Sequence, residues 1–293
     1  MECILTGDTG SGNNEQYLVA KSIEKLIKKH PKIKCIILAG DNIYENGCSS
    51  VEDKQFVTKF QKPYEKINLP FYLCLGNHDY GTMRNNSKIQ IQYTFDESNT
   101  NHKWNLPHNW YSQSFPMCDF FFIDTNLERL SQSEIKKQLN DTIQKINKST
   151  KKWKILCGHH TWRSVGGHGN TEIQLETFIN DLLLKVKIDL YVCGHDHCKS
   201  IIEVGNHKTH ALVIGTGGKQ YDERLFYPEN MNHDNSILHY FSPNLGVCHM
   251  KCNSKSLTLT CYNEKLQKEY QYTIKKNNYF ILSYIFIFRA QGP

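Results

Sequence analysis

Five apolar runs in this chain end in a glycine that is followed at once by side chains able to bind a metal ion. Gly7-Asp8 follows Cys3-Ile4-Leu5, and Gly40-Asp41, with Tyr44 three residues on, follows Ile36-Ile37-Leu38-Ala39. Gly76-Asn77-His78-Asp79 follows the run 71–75, Gly158-His159-His160 follows 153–157, and Gly194-His195-Asp196-His197 follows 190–193. Runs of this length and character read as buried parallel strands, and α/β proteins place their ligands just beyond the carboxyl ends of such strands. The side chains presented there are Asp8, Asp41, Tyr44, Asn77, His159, His195 and His197. Hard oxygen donors mixed with imidazoles, and no thiolate, suit iron, manganese or zinc rather than a cysteine-type structural zinc site. Seven groups exceed what one tetrahedral ion needs. Two ions bridged by one carboxylate would use them all, and metals about 3.5–4 Å apart form a clamp for in-line displacement at phosphorus. Each motif alone is ordinary turn chemistry; all five in this order, each after an apolar strand, are not.

The elements that must position these groups follow from periodicity. After the first strand and a glycine-rich turn, residues 15–29 carry Leu18, Val19, Ile23, Leu26 and Ile27 at helical spacing, and His30-Pro31 ends the helix. The turn is no P-loop, because no Gly-Lys-Ser/Thr follows. A short helix near 53–64 leads into the third strand, and this βαβαβ opening argues for an α/β architecture. Residues 80–107 are polar and aperiodic and read as a long binding loop or lid. Short strands are expected near 110–115 and 118–124. An amphipathic helix follows over 131–148, with Ser131 and Glu134 suited to a capping box. After the strand at 153–157, a glycine-rich loop at 161–169 allows His168 to fold back over the site, and a helix is expected over 172–185. Beyond His197 the pattern changes to alternating strands at 201–204, 209–214, 236–241, 246–252, 257–262 and 270–274, with hairpin turns at 205–206 and 253–255. This β-rich third is expected to form a second sheet packed on the first. No repeat or linker interrupts the chain, so one domain is expected.

Composition sets the bounds. With 293 residues, 39% hydrophobic and 22% charged, the chain has ample core and is not of a disordered class. The net charge of +6 is spread over helical stretches such as 21–32, which reads as a solvated helix face rather than a nucleic-acid surface, while mildly favouring anionic substrates. Eleven cysteines form no CxxC pair, and Cys3, Cys35, Cys74, Cys157 and Cys193 lie inside apolar runs. Reduced thiols in a reducing compartment are expected, with Cys248 and Cys252 the pair an oxidising compartment would bridge. Met1-Glu2 runs straight into the first strand, so no signal peptide is expected, and on that ground alone the location would be cytoplasmic. The stretch 279–288 is apolar but about half the roughly 20 residues of a membrane helix, so no transmembrane span is expected there.

The motifs at 7–10 (Gly-Asp-x-Gly), 40–44 (Gly-Asp-x-x-Tyr), 76–79 (Gly-Asn-His-Asp), 158–159 (Gly-His) and 194–197 (Gly-His-x-His) resemble those of the calcineurin-like metallophosphoesterase superfamily. Within it the chain resembles the purple acid phosphatases, most of all the small tartrate-resistant mammalian type. The likeness extends through Lys103-Trp104-Asn105-Leu106-Pro107, the loop 162–169 and the C-terminal strands. It implies a single domain over 1–275, a four-layer αββα sandwich of two mixed β-sheets flanked by helices, with the dimetal site at the carboxyl ends of the strands. Residues 276–293 remain as a hydrophobic C-terminal tail with no counterpart.

Tyr44 separates the subfamilies. Protein serine/threonine phosphatases of the superfamily continue the bridging aspartate as Asp-Arg-Gly, whereas this chain has Asn42-Ile43-Tyr44-Glu45. A phenol with an ordinary pKa near 10 binds as phenolate only to a strongly acidic ion such as Fe(III). The resemblance implies two metal ions: Fe(III) held by Asp8, Asp41, Tyr44 and His197, and a divalent ion (Fe, Zn or Mn) held by Asp41, Asn77, His159 and His195, with Asp41 as the bridge. It implies cleavage of phosphate monoesters by attack of a metal-activated hydroxide. His78 and His168, not ligands in the family, are expected to hydrogen-bond the phosphoryl group and to help protonate the leaving oxygen. His160 departs from the aromatic residue expected beside the ligand histidine and is read as supporting the site or facing solvent. A diesterase, a nucleotide or phosphoprotein phosphatase, and a redox-active diiron protein generating reactive oxygen species remain open alternatives. A silent binding module is disfavoured because no ligand position is lost. The expected partner is a small phosphorylated substrate, with no nucleic acid and a monomeric chain; family members are mostly secreted or lysosomal, against the missing leader.

Overall fold

A computed structural model of the chain describes residues 1–81, 86–221, 225–232 and 235–276, so all of the hydrophobic tail except Lys276 lies outside the described residues. Its strands are β1 (Glu2–Thr6), β2 (Ile33–Leu38), β3 (Phe71–Leu73), β4 (Trp104–Asn105), β5 (Tyr111–Ser114), β6 (Cys118–Phe122) and β7 (Trp153–Cys157). They continue with β8 (Leu190–Cys193), β9 (Lys199–Val204), β10 (Thr209–Ile214), β11 (Ile237–Ser242), β12 (Gly246–Cys252), β13 (Ser256–Asn263) and β14 (Lys268–Lys275). Two seven-stranded sheets result, in the orders β14-β13-β12-β1-β2-β3-β4 and β11-β9-β10-β8-β7-β6-β5. In the first, β1 to β4 run parallel and β12 to β14 antiparallel. In the second, β6, β7, β8 and β10 run parallel, β5 and β9 pair antiparallel with β6 and β10, and β11 pairs antiparallel with β9.

The C-terminal third therefore does not form a sheet of its own, as its alternation suggested. β9 to β11 extend the second sheet, whereas β12 to β14 cross to the first, where Ile4 of β1 faces His249 of β12. The reason is edge pairing. β1 begins the parallel series and would otherwise leave a row of unpaired backbone groups beside the core.

Burial on both faces explains the unbroken apolar runs. Phe120, Phe122, Ile155, Cys157, Leu190 and Val192 of the second sheet pack with residues of the first sheet such as Leu5 and Ile37. The intervening Phe121, Leu156 and Tyr191 point the other way, onto Leu175, Phe178, Ile179 and Leu182 of the helix Ile173–Leu183. The helix Asn14–Lys29 buries Val19, Ala20, Ile23 and Leu26, and Asn13 caps it by accepting from the Gln16 amide at 3.1 Å. Ser131 and Glu134 form the expected reciprocal cap on the helix Gln132–Lys148.

Two further expectations need correction. The segment 80–107 is not a structureless lid: it contains the helix Asn86–Tyr93, a short turn of helix at Thr100–His102, and β4. That helix escaped the pattern because its buried positions are Ser87, Gln90 and Tyr93, two of them polar. Tyr93 stacks on Phe56 at 3.7 Å between ring centroids, and the Trp104 indole donates to the Gln90 carbonyl at 3.0 Å. All eleven cysteines are free and buried. Cys248 and Cys252 lie four residues apart on one strand, roughly 13 Å at 3.3 Å per residue, too far to be bridged.

Candidate metal centre

Each ligand-type side chain emerges where a parallel strand stops. Asp8, Asp41 and His195, just beyond β1, β2 and β8, have φ of 56°, 51° and 67°. Non-glycine residues take this left-handed conformation uncommonly, and it concentrates at sites where the surrounding structure enforces it. Gly40 and Gly76 make the close approach possible, since a Cβ on Gly40 would strike the His159 ring and one on Gly76 the Asp41 carboxylate.

All seven residues picked out from the sequence come together between the two sheets, in two groups. In one, the Tyr44 hydroxyl donates to Asp8 Oδ1 at 3.0 Å and lies 3.3 Å from His197 Nε2, which is itself 3.4 Å from Asp8 Oδ1. In the other, His159 Nε2 lies 3.0 Å from Asn77 Oδ1, 3.3 Å from His195 Nδ1 and 3.4 Å from Asp41 Oδ2. Asp41 also acts on the Tyr44 phenol and lies near Asp8, so it stands beside both groups. One ligand atom from each of Asp8, Asp41 and His159 lies within 4.8 Å of the others.

The donors converge as a cation would require. His159 Nδ1 is 2.8 Å from the Ala39 carbonyl, which can only accept, so that nitrogen carries the proton and Nε2 offers its lone pair to the centre. Asp8, Asp41, Tyr44 and His159 are buried, whereas Asn77, His195 and His197 are partly exposed towards the opening. Burial, then the carboxylates of Asp8 and Asp41, push the Tyr44 phenol well up. A phenolate there needs a compensating cation, and the residues present fit a pair of metal ions. Burial disfavours charge on both Asp41 and His159, yet without a cation between them their attraction holds the carboxyl well below the usual range and raises the imidazole to about 10, so a metal ion binds at Nε2 by displacing the proton that this pairing would otherwise keep there.

The non-ligand histidines take distinct places. His78 packs on Tyr44 at 4.5 Å between centroids, with Nδ1 2.7 Å from the Glu45 carbonyl. His168 stacks on His195 at 3.9 Å and 26°. His160 is held by Thr125 Oγ1 at 2.7 Å from Nδ1; burial and the neighbouring His159 lower it to about 3. Asn77, His160, His168 and His195 line a cavity of about 420 Å³, as do Glu128 and Glu172.

Sequence reasoning missed the residues that hold these loops. Buried Asp79 accepts from the amides of Asn42 at 2.9 Å, Ile43 at 3.0 Å and Gly76 at 2.8 Å, and from Gln90 Nε2 at 2.8 Å. It thereby ties the loop bearing Asp41 and Tyr44 to the one bearing Asn77 and His78. Burial, and then Asp41, raise Asp79 to about 6. Asp196, also buried, accepts from the Ser164 hydroxyl and, at 2.7 Å, from the His168 amide. Both aspartates stand inside motifs singled out above; their partners, mostly groups of other segments, left no signal. Tyr221 stacks on His197 at 4.6 Å, and Lys219 Nζ sits 4.0 Å over the Tyr44 ring.

Two sheets that converge hard oxygen donors and imidazoles on two adjacent points define a dinuclear metallohydrolase centre. Comparison with known proteins narrows the class. The calcineurin-like phosphoesterase family model matches residues 1–199. Purple acid phosphatase 3 of Arabidopsis thaliana is 31% identical over 251 residues, covering 78% of this chain and 67% of that protein. Tartrate-resistant acid phosphatase type 5 of Oryctolagus cuniculus is 25% identical over 294 residues, covering 88% of this chain and 85% of its own. Among solved structures, Plasmodium GAP50, described as the anchor in the inner membrane complex, superposes with a TM-score of 0.79 at 20% identity, over 94% of this chain and 89% of its own, a likeness of fold. The chain belongs to the calcineurin-like phosphoesterase family and, within it, to the purple acid phosphatases. It is accordingly a hydrolase of the acid phosphatase type.

Proposed function

We propose that this centre hydrolyses small phosphate monoesters with Fe(III) held by Asp8, Asp41, Tyr44 and His197, and a divalent ion (Fe, Zn or Mn) held by Asp41, Asn77, His159 and His195. The observation that carries the reading is the convergence of seven donor atoms in two groups sharing Asp41. When bound, the two ions supply positive charge to the phosphoryl oxygens and an acidified water as nucleophile.

The chain's own residues do the rest. The Glu45 carbonyl fixes the proton of His78 on Nδ1, leaving Nε2 as the group that meets substrate. His168 is held at the opening by the Asp196 carboxylate on its amide and by its stack on His195. From there it hydrogen-bonds the phosphoryl group and delivers a proton to the leaving oxygen. A cavity of about 420 Å³ suits a small organic phosphate.

The test is a rate comparison between an aryl monoester, an alkyl monoester and the matching aryl diester, in wild type and His168→Gln. Wild type is expected to turn over both monoesters at least tenfold faster than the diester. His168→Gln should slow the alkyl ester by about 10²-fold and the aryl ester, whose leaving group needs less protonation, by less. Equal rates on diester and monoester would overturn the substrate class, and equal losses on both monoesters would remove the proton-donor role from His168.

A further inference from the structure

A second convergence of metal-binding side chains lies at the other end of β1, away from the dinuclear centre. Glu2 opens that strand and pairs with Lys251 of β12, while Ile4 pairs with His249. Glu2 and His249 thus share one face of the first sheet as diagonal neighbours. The helix Asn14–Lys29 ends at the same place, and His30, the residue that ends it, brings its ring to 4.6 Å from that of His249 at a tilt of 48°.

These three side chains do more than fill space. Glu2 Oε2 is 3.1 Å from His249 Nε2, and one ligand atom from each of Glu2, His30 and His249 lies within 4.8 Å of the other two. For comparison, ligands of a tetrahedral ion with bonds of about 2.0–2.1 Å stand roughly 3.3 Å apart. Glu2 and His249 are 6% and 5% exposed. An ion pair between them accounts for two members of the group but not the third. His30 Nε2 is buried with no hydrogen-bond partner among the described residues. A buried ring nitrogen left unpaired is costly, and two imidazoles this close disfavour charge on both. Burial, followed by the nearness of His30, pushes His249 down towards its neutral form, with Glu2 opposing. Neutral imidazole is the form that binds metal. Lys251, a cation beside the group, is exposed and lies 3.7 Å from the other carboxylate oxygen, Oε1, which leaves Oε2 for an ion.

We propose that Glu2, His30 and His249 form a third metal site, distinct from the dinuclear centre, that takes a divalent ion of the zinc class through two imidazoles and one carboxylate. Two nitrogens and one oxygen are a common donor set for zinc, cobalt and nickel, and a water completes the coordination. The ion clasps the end of the helix Asn14–Lys29 to β1 and β12. Because β1 carries Asp8 beyond its far end, the clasp steadies a strand that feeds the dinuclear centre without touching substrate.

The experiment starts from protein whose dinuclear centre is filled. Zinc ion is added, excess is removed by desalting, and metal per chain is counted for wild type, His30→Ala and Glu2→Gln, with Tm measured alongside. After desalting, wild type is expected to retain one zinc per chain more than either variant; with free zinc held at a hundred times Kd during the melt, it should gain about 4 °C. His30→Ala, at the end of a helix and partly exposed, should keep its phosphatase activity and its zinc-free Tm while losing both responses. Equal zinc retention and equal Tm gain in wild type and both variants would overturn the proposal. A wild type that retains no zinc beyond the dinuclear pair would overturn it as well.

Discussion

The two sheets bring different chemistry to one centre. The first sheet, through the loops after β1, β2 and β3, supplies Asp8, Asp41, Tyr44 and Asn77, all oxygen donors. The second, through the loops after β7 and β8, supplies His159, His195 and His197, all nitrogen donors. Each group of side chains draws on both sheets, so neither group exists until the sheets have packed. The carboxylates and the phenol that would repel one another are gathered on one side, and the ligands that can remain neutral come from the other. Each side also has its own buried brace: Asp79 collects backbone amides of the first sheet's loops, and Asp196 holds the second sheet's loop bearing His168.

The comparison breaks most completely at the residue both groups share. Asp41→Asn should lower kcat by roughly 10³-fold and reduce bound metal below two per chain, measured by steady-state rates and metal analysis together. The braces sharpen the contrast. Asp79→Asn weakens the hold on the loops of Asp41 and Asn77, so metal affinity should fall about 10–100-fold in a chelator competition. Asp196→Asn should instead leave two metals per chain and lower kcat by about tenfold, at the low end of what such supporting partners contribute, because what it releases is the loop of His168. The smallest effect lies far from the centre. Ser131→Ala removes the cap of the helix Gln132–Lys148 and should cost about 1 kcal/mol in denaturant unfolding, with kcat unchanged.

That these seven side chains stand at strand ends was legible in the sequence, because burial on both faces makes a parallel strand read as an unbroken apolar run, and a glycine marks where it stops. What periodicity could not show was long-range pairing. The alternation in 246–252 is the same whether β12 joins the second sheet or lies beside β1, and only the fold reveals the latter. The helix Asn86–Tyr93 was hidden because it buries Ser87 and Gln90, the latter to serve Asp79. Asp79 and Asp196 stood in plain view inside motifs, but a carboxylate that braces backbone amides looks in sequence like any other. The Glu2, His30 and His249 group had no local signature, since Glu2 and His249 are separated by 247 positions and meet only through the pairing of β1 with β12.

The most direct test of the centre is metal content together with the visible absorption spectrum of the purified protein, wild type beside Tyr44→Phe, before any zinc is added. The account predicts two metals per chain, one of them iron, and a purple phenolate-to-Fe(III) band that disappears in the variant. A colourless protein that binds two manganese or zinc ions, unchanged by Tyr44→Phe, would contradict it.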